Sequence, residues 1–398
     1  MSRVLVLGGA GAICREATRD LAAQPDFDEI VVAEGNLDAA QRLLADLGDQ
    51  RCRAVAFDAD DEAGTARLLR GFDVVVNGLP YRYDLAVTRA CVEAGVCGLD
   101  LSTTEDQFEF DEAARARGIT FVPGVGATPG VTNLLVQRAS LTLETVDEVD
   151  IAFAAFRCLA PAPGLLTTTL WEFNPEEPAR QRVYFEDGAL RPAPPMTGSR
   201  EVDCGGEIGR HTAYLVPHPK TTTLPRSYPS LRRVAVRGCF APQVMRILSA
   251  LLEAGVLSAR TVRVGGAEAA SLDAVHALLM AAPPSRQNET WGYGLHVAVL
   301  GRHNGRQATY TARTRHPPMA EWGGPAAYFK NVGIPLAIGA AMIARGEMLG
   351  RGVLPPERAL PQAPFFRALA ERGIAVEERL DNGGAGDGPR SDGDRVSL

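Results

Sequence analysis

Lysine is nearly absent from this chain of 398 residues: Lys220 and Lys330 are the only two, so 39 of the 41 basic residues are arginine. The codon usage of a GC-rich genome accounts for such a bias, and it removes surface lysine clusters as a guide to function. The seven cysteines are odd in number and scattered, with no C-x-x-C pair. That excludes a disulfide framework or a zinc knuckle and reads as cytosolic thiols. The six histidines form no H-E-x-x-H. No uncharged apolar run reaches about 18 residues, so no transmembrane helix is expected. The net charge of -7 and pI near 5.5 argue against a nucleic-acid footprint.

What the chain does have is 46% hydrophobic residues and enough length for two or three cores. Its start carries no charged n-region and no h-region, so no signal peptide is expected and the expected location is the cytoplasm. Val4 to Leu7 is a short apolar run that fits a strand buried on both faces. It leads into Gly8-Gly9-Ala10-Gly11-Ala12-Ile13-Cys14 and then an amphipathic stretch to about Ala23. A strand, glycines and a helix in that order form a dinucleotide-binding turn. Gly9 permits the turn, Gly11 lets backbone approach a pyrophosphate, and the phosphates lie on the helix N-terminus beside Ala12 and Ile13. Cys14, at the third glycine position, is small enough for close helix–strand packing. The alternative is a glycine turn with no ligand.

Glu34 ends a second strand, Ile30 to Ala33, 23 residues after Gly11. An acid there accepts both ribose hydroxyls and repels a 2′-phosphate, which favours NAD over NADP; the alternative is a solvated strand-end acid. Alternating strands and helices continue to Val122: strands at 54–57, 73–77, 98–101 and 120–122, helices at 63–69, 85–94 and 108–117. This is the pattern of an α/β doubly wound parallel sheet, a Rossmann domain. Ligands lie outside the carboxyl ends of such strands. The expected cofactor set is therefore Gly9, Gly11, Ala12, Ile13, Glu34, Asp58, Asn77, Pro80 and Gly124.

From Val146 the rhythm changes. Strand-like runs at 148–156, 182–185, 212–216, 233–238, 295–300 and 307–312, with helices at 244–254 and 272–281, read as an α+β domain with a mixed or antiparallel sheet. Asn304-Gly305 marks a hairpin. Ile334 to Met348 is an apolar helix, too short to span a bilayer and expected to pack on the first domain. The expected division is 1–127 for the cofactor domain, 128–330 for a substrate and dimerisation domain, 331–380 for returning helices, and 381–398 for a disordered glycine- and aspartate-rich tail.

Taken together, VLVLGGAGAIC, VVNGLPYRYDLAVTRACVEAGVCGLDLS, VPGVGATPGVTNLLV, HPKTTTLPR and GIPLAIGAAMIARGEMLGRGVLPPE resemble the saccharopine dehydrogenase-like family over nearly the whole chain. The last two, with PFFRALAERGI, look most like the lysine 6-dehydrogenase branch. The resemblance implies two domains, a homodimer, a nicotinamide cofactor (NAD rather than NADP on the residues above), and a small amino-acid or imine substrate, with no nucleic acid or membrane partner. It implies chemistry at a carbon–nitrogen bond: amine oxidation to an imine, or imine reduction to a saccharopine- or carboxynorspermidine-like secondary amine. Two departures stand against lysine itself. Gly124 occupies the position where the lysine branch carries an acid, and Asn331-Val332-Gly333 replaces its threonine-glycine.

Hydride transfer needs a held substrate carboxylate and one proton moved at nitrogen. Arg226 is the candidate for the carboxylate, its guanidinium fork being suited to it, with an inter-domain ion pair as the alternative. Tyr81, His218 and Asp100 are the candidate catalytic residues. Wall-lining, a loop histidine bonded to backbone, and a helix cap are their respective alternatives. Asn133, Tyr83 and Gly130 complete the substrate-binding set, though Asn133 at a helix start also suits a cap. Lys330 as a Schiff-base lysine has nothing to desolvate it. Trp171, Trp291 and Trp322 read as core or rim residues, and no metal ligand set is visible. The loop-rich, proline-rich stretch 157–205 leaves space for an extra substrate lobe, which would favour the imine reductase. A non-catalytic nicotinamide sensor fits the glycine turn and Glu34 equally well. A short-chain carbonyl reductase lacks its Y-x-x-x-K.

Overall fold

The computed structural model describes residues 2–176, 183–282 and 290–382. The described residues divide into two compact units, one drawn from 2–138 and 329–375, the other from 139–328 and 376–382.

In the first unit β1 (Arg3–Leu7), α1 (Cys14–Ala23), β2 (Glu29–Glu34), α2 (Leu37–Leu47), β3 (Cys52–Ala56), α3 (Glu62–Leu69), β4 (Val74–Asn77), α4 (Asp84–Ala94), β5 (Cys97–Asp100), α5 (Asp111–Ala116) and β6 (Thr120–Val122) alternate as expected. The helix starts follow local chemistry. Asn36 and Asp61 accept the amides of Ala39 and Gly64 at 3.1 Å and 2.8 Å, satisfying donors that the first turn leaves open. The helix expected at 108–117 is split. Thr104 and Gln107 form a capping box over a 3₁₀ turn, Glu105–Phe110, and α5 begins only at Asp111.

The chain passes into the second unit within α6 (Val131–Thr142). There follow β7 (Thr145–Phe156), α7 (Pro163–Phe173), β8 (Val183–Glu186), β9 (Ala189–Pro192), β10 (Arg200–Asp203), β11 (Arg210–Leu215), α8 (Lys220–Ser227), β12 (Arg233–Phe240), α9 (Pro242–Glu253), β13 (Thr261–Val264), β14 (Ala267–Ala270), α10 (Ser271–Ala281), β15 (Gly292–His303) and β16 (Arg306–Arg315). The chain returns within α11 (Ala326–Ala344) to β17 (Gly352–Val353), α12 (Pro356–Ala359) and α13 (Gln362–Glu371), and ends its described course in β18 (Ala375–Asp381).

The first sheet is parallel with order β17-β6-β5-β4-β1-β2-β3. Val4–Leu7, Ile30–Ala33 and Val74–Val76 are fully buried, as strands covered on both faces must be. Each large apolar side chain so removed from water contributes about 2 kcal/mol. The order reverses at β1, which pairs with both β2 and β4, so the ligand crevice opens there. The seventh strand, β17, has two residues and no periodicity to betray it.

The second sheet is mixed. Its path is β10-β11-β12-β7-β15-β16-β18, with β8 and β9 attached beside β12, and only β12 and β7 are parallel neighbours among its described pairs. Asn304 and Gly305 both have positive φ (52° and 72°), the geometry a two-residue hairpin needs. The stretch 157–205 is not an open loop: α7, β8, β9 and β10 occupy its described part. Arg182, expected to open a strand, and the tail from residue 383 lie outside the described residues.

The apolar helix α11 starts eight residues earlier than the sequence pattern placed it and spans 19 residues. It is long and apolar enough to cross a membrane by length and composition, and 78% of that stretch is buried inside the protein. Gly333 and Gly339 allow that burial. A Cβ on Gly333 would lie 2.8 Å from the Ala17 backbone, and one on Gly339 would lie 2.8 Å from Leu99.

Candidate functional site

Around the glycine turn, Gly8 N–H donates to Ala33 O at 2.8 Å and Gly11 N–H donates back to Gly8 O at 3.0 Å, closing the turn at the head of β1. Gly9 is pressed into the interior. A Cβ there would meet Val6 at 2.9 Å, Val32 at 3.0 Å and Thr18 at 3.1 Å, and the Thr18 hydroxyl donates to Gly9 O. Gly11 faces outward and meets only Gly8 O. The start of α1, beside Ala12 and Ile13, has no side-chain cap; the Arg15 amide donates to Gly11 O at 2.9 Å and the Glu16 amide to Ile13 O at 3.0 Å. Cys14 packs on the other end of the same turn: a Cβ on Gly78 would sit 2.1 Å from its sulfur. Burial pushes the Cys14 thiol up to about 12, so it is an inert filler.

Glu34, at the end of β2, accepts the Ala10 amide at 3.1 Å, which holds its carboxylate against the glycine turn. These features fit a dinucleotide: an open cradle at Gly11, an uncapped helix start for the phosphates, and an acid one strand away for a ribose.

The other expected cofactor and substrate residues divide. Asp58 shapes the turn after β3, accepting the Asp60 amide at 3.0 Å. Tyr81 projects outward at 53% exposure on the 3₁₀ turn after β4, following Pro80. Tyr83 points elsewhere. Its hydroxyl donates to Asp60 at 2.8 Å, and its ring lines a cavity of about 210 Å³ between α3 and α4 with Phe57, Ala59 and Leu79. Two residues, two-thirds of a 3₁₀ turn, separate the two tyrosines, so their side chains point in different directions and Tyr83 reaches toward the turn after β3.

Asn77 and Asp100 are not open to the crevice, being 1% and 0% exposed. Asn77 donates to Asp84 at 3.0 Å and accepts the Leu79 amide at 3.2 Å. Asp100 accepts the Gly124 amide at 2.8 Å and the Gln107 side chain at 2.7 Å. Asp100 is thus neither a helix cap nor a group that reaches substrate; it holds the turn after β6 in place. Asn133 is likewise turned inward, accepting the Gly130 amide at 3.1 Å and donating to the buried Glu357 at 2.8 Å. The substrate role expected for Asn133 gives way to a brace between the Gly124–Gly130 turn and α12.

In the second unit, the first turn of α8 carries the strongest local signal. Lys220 is completely buried, and its Nζ lies 3.4 Å from Nε2 of half-buried His218. Arg226 is exposed in the last turn of the same helix, at the opposite end from that pair. Sequence reasoning passed over Lys220, although a lysine in a chain with only two was the signal to follow. It also passed over Arg157, 2% exposed, whose guanidinium donates to Cys158 O, Leu159 O and Thr169 and stacks on Phe240 and Tyr328 at 5.0 and 5.3 Å. Among the described residues, no cluster of three or more His, Cys, Asp or Glu could hold a metal ion.

Two family models match the chain: the saccharopine dehydrogenase NADP binding domain over residues 4–122 and the saccharopine dehydrogenase C-terminal domain over residues 126–374. Carboxyaminopropylagmatine dehydrogenase of Synechocystis sp. is 26% identical, covering 95% of this chain and 98% of that protein. Carboxynorspermidine synthase of Vibrio alginolyticus is 22% identical over 92% of this chain and 94% of its own. The apo saccharopine dehydrogenase (L-Glu forming) of Saccharomyces cerevisiae superposes with a TM-score of 0.72 at 17% identity, covering 96% of this chain and all of that one, and so shares the fold.

Proposed function

The chain belongs to the saccharopine dehydrogenase family and is a nicotinamide-dependent oxidoreductase acting at a carbon–nitrogen bond; on that premise we propose that it reduces the imine of a polyamine-type primary amine and a short amino-acid semialdehyde. The observation that carries this reading is end-to-end similarity to two relatives named for carboxylated amines, carboxyaminopropylagmatine and carboxynorspermidine. A carboxyaminopropyl group on nitrogen is what remains when a primary amine condenses with a four-carbon α-amino-acid semialdehyde, water leaves, and the imine takes up hydride and a proton. When bound, the nicotinamide supplies that hydride.

The chain's own part is positioning and proton control. The Gly8–Gly11 turn and the start of α1 hold phosphates. Tyr81, exposed on the turn after β4, is the proposed group that orients a reacting group. His218 is the proposed donor of the proton to the imine nitrogen. Lys220, closed to solvent, acts through His218 by fixing its ring. Replacing Lys220 with methionine, an apolar chain of similar length, is expected to lower kcat about tenfold while leaving NAD(H) affinity unchanged, a split that steady-state kinetics and cofactor titration read directly.

Glu34 makes NAD(H) the proposed partner in preference to NADP(H). Its carboxylate stands on the glycine turn where a 2′-phosphate would meet like charge. Glu34→Ala is expected to move the NADP(H)/NAD(H) ratio of kcat/KM about tenfold toward NADP(H), equivalent to about 1.4 kcal/mol. An unchanged ratio would remove Glu34 from the ribose site. The seven cysteines, all free thiols, suit a reducing compartment, and the cytoplasm is the proposed location.

The substrate reading is tested by following loss of NADH absorbance. A four-carbon amino-acid semialdehyde is offered with agmatine, putrescine, diaminopropane or lysine as the amine. Turnover with the first three and not with lysine is expected. Turnover with lysine alone would replace the polyamine reading.

A further inference from the structure

Asn77 and Asp100 stand side by side at the carboxyl ends of β4 and β5. Beneath them lies a closed polar network with two acids. Asp84, the first residue of α4, accepts from Asn77 Nδ2 at 3.0 Å and from the Ser102 side chain. Asp100 accepts from Gln107 Nε2, the Gly124 amide and the Ser102 amide. Gln107 Nε2 also donates to Thr88 Oγ1 at 2.9 Å, and the Thr88 hydroxyl donates to the carbonyl of Asp84 at 2.8 Å. Asp84 and Asp100 are 1% and 0% exposed.

Among the described residues the network has no cation. No lysine, arginine or histidine among the described residues contributes to either acid. The titratable neighbours are thiols: Cys91 of α4, kept neutral because burial pushes it far up, and Cys97 of β5 beside it. Two buried carboxylates cannot both be charged without a counter-ion, because each loses its hydration and repels the other.

We propose that Asp84 and Asp100 are positioning residues that form a proton-holding carboxyl latch, tying the turn after β4 to the turn after β6 on the side of the crevice that takes the nicotinamide. Each half of the latch grips one wall. Asp84 holds Asn77, which holds the amide of Leu79 ahead of Pro80 and Tyr81. Asp100 holds the amide of Gly124, and its carbonyl holds Val125 at 2.7 Å. While a proton stays in the pair, only one negative charge is buried and the two walls remain joined through Ser102. When the pH is high enough to drive the second charge in, repulsion separates them. Burial pushes both acids up, and the charge of Asp84 adds to the rise at Asp100, so the pair titrates as a unit above the ordinary carboxylate range.

This inference rests on the cofactor assignment alone, and its test needs no substrate, so it stands or falls separately from the imine-reductase reading. NADH is titrated onto the full chain by fluorescence from pH 6.5 to 9.5, for the wild type and for Asp84→Asn, which keeps the shape of the side chain and cannot ionise. The wild type is expected to lose affinity about fivefold or more across that range, and the variant to stay flat. Infrared spectra of the wild type, with no variant needed, should show the carbonyl band of a buried protonated carboxyl at neutral pH, fading as affinity falls. Wild-type pH dependence in Asp84→Asn, or the absence of that band, would overturn the latch.

Discussion

Replacing Gly130 with alanine is expected to cost about 4 kcal/mol or more of unfolding free energy, enough to leave little folded protein. Gly130 has a φ of +117°, outside the range open to side-chain-bearing residues, and a Cβ there would lie 2.1 Å from Gly126 O and 2.4 Å from Gly126 N. Both contacts are backbone, so no side chain can swing aside. The same turn is held by the Gly126 amide on Pro129 O at 2.9 Å and by Asn133 on the Gly130 amide. Gly48 is the control. Its φ is also positive, 62°, but nothing lies within 4 Å of its Cβ position. Gly48→Ala should cost only about 1 kcal/mol, the price of a left-handed residue without a clash. Denaturant midpoints measure both. A Gly130→Ala protein as stable as Gly48→Ala would mean that the 126–130 turn is built differently.

Gly11→Val is expected to weaken nicotinamide cofactor binding about a hundredfold, or roughly 3 kcal/mol, while shifting the melting temperature by no more than about 2 °C. Nothing but Gly8 O, at 3.1 Å, lies within 4 Å of a Cβ at Gly11, and the residue is exposed, so the protein can accept the side chain. The pyrophosphate cannot, because the branched side chain fills the place where phosphate oxygens approach backbone amides. Gly9→Ala should behave in the opposite sense. Its methyl presses on Val6, Val32 and Thr18, which separates α1 from β1 and lowers stability first. Isothermal titration and thermal melts on the two variants give a crossed pattern if the turn works as described. Equal losses of affinity and stability in both would make the glycines purely structural.

The parallel sheet was legible because its strands are buried on both faces and short loops separate them from amphipathic helices, so period and punctuation agree. The strand–glycine turn–helix and the place of Glu34 at the end of β2 were legible for a related reason: each is set within one short chain segment. What escaped was long-range. β17 is two residues long and earns its place only by pairing with Thr120 and Phe121, more than 200 positions earlier in the chain. Asn133 carries a local signal for a cap, while its second partner, Glu357, lies in α12. Asp84 reads locally as an acid in a helix first turn, where the helix dipole favours it; only the fold brings it to Asp100. Tyr81 and Tyr83 are indistinguishable in sequence, and only the 3₁₀ turn leaves Tyr81 exposed while it carries the Tyr83 hydroxyl to Asp60. Arg226 drew attention because its guanidinium fork suits a carboxylate, yet it lies in the last turn of α8, and Lys220 in the first turn is the residue that meets His218.

The central claim is that this chain moves hydride onto an imine carbon. The most direct measurement offers the protein NADH deuterated at the transferable position, with agmatine and a four-carbon amino-acid semialdehyde, and weighs the product. The expected product is the secondary amine with the mass of amine plus aldehyde less water plus one hydrogen and one deuterium, the deuterium on the carbon next to the new nitrogen bond. Binding of NADH with no deuterated product from any amine and aldehyde pair would contradict the account and leave a nicotinamide-sensing protein in its place.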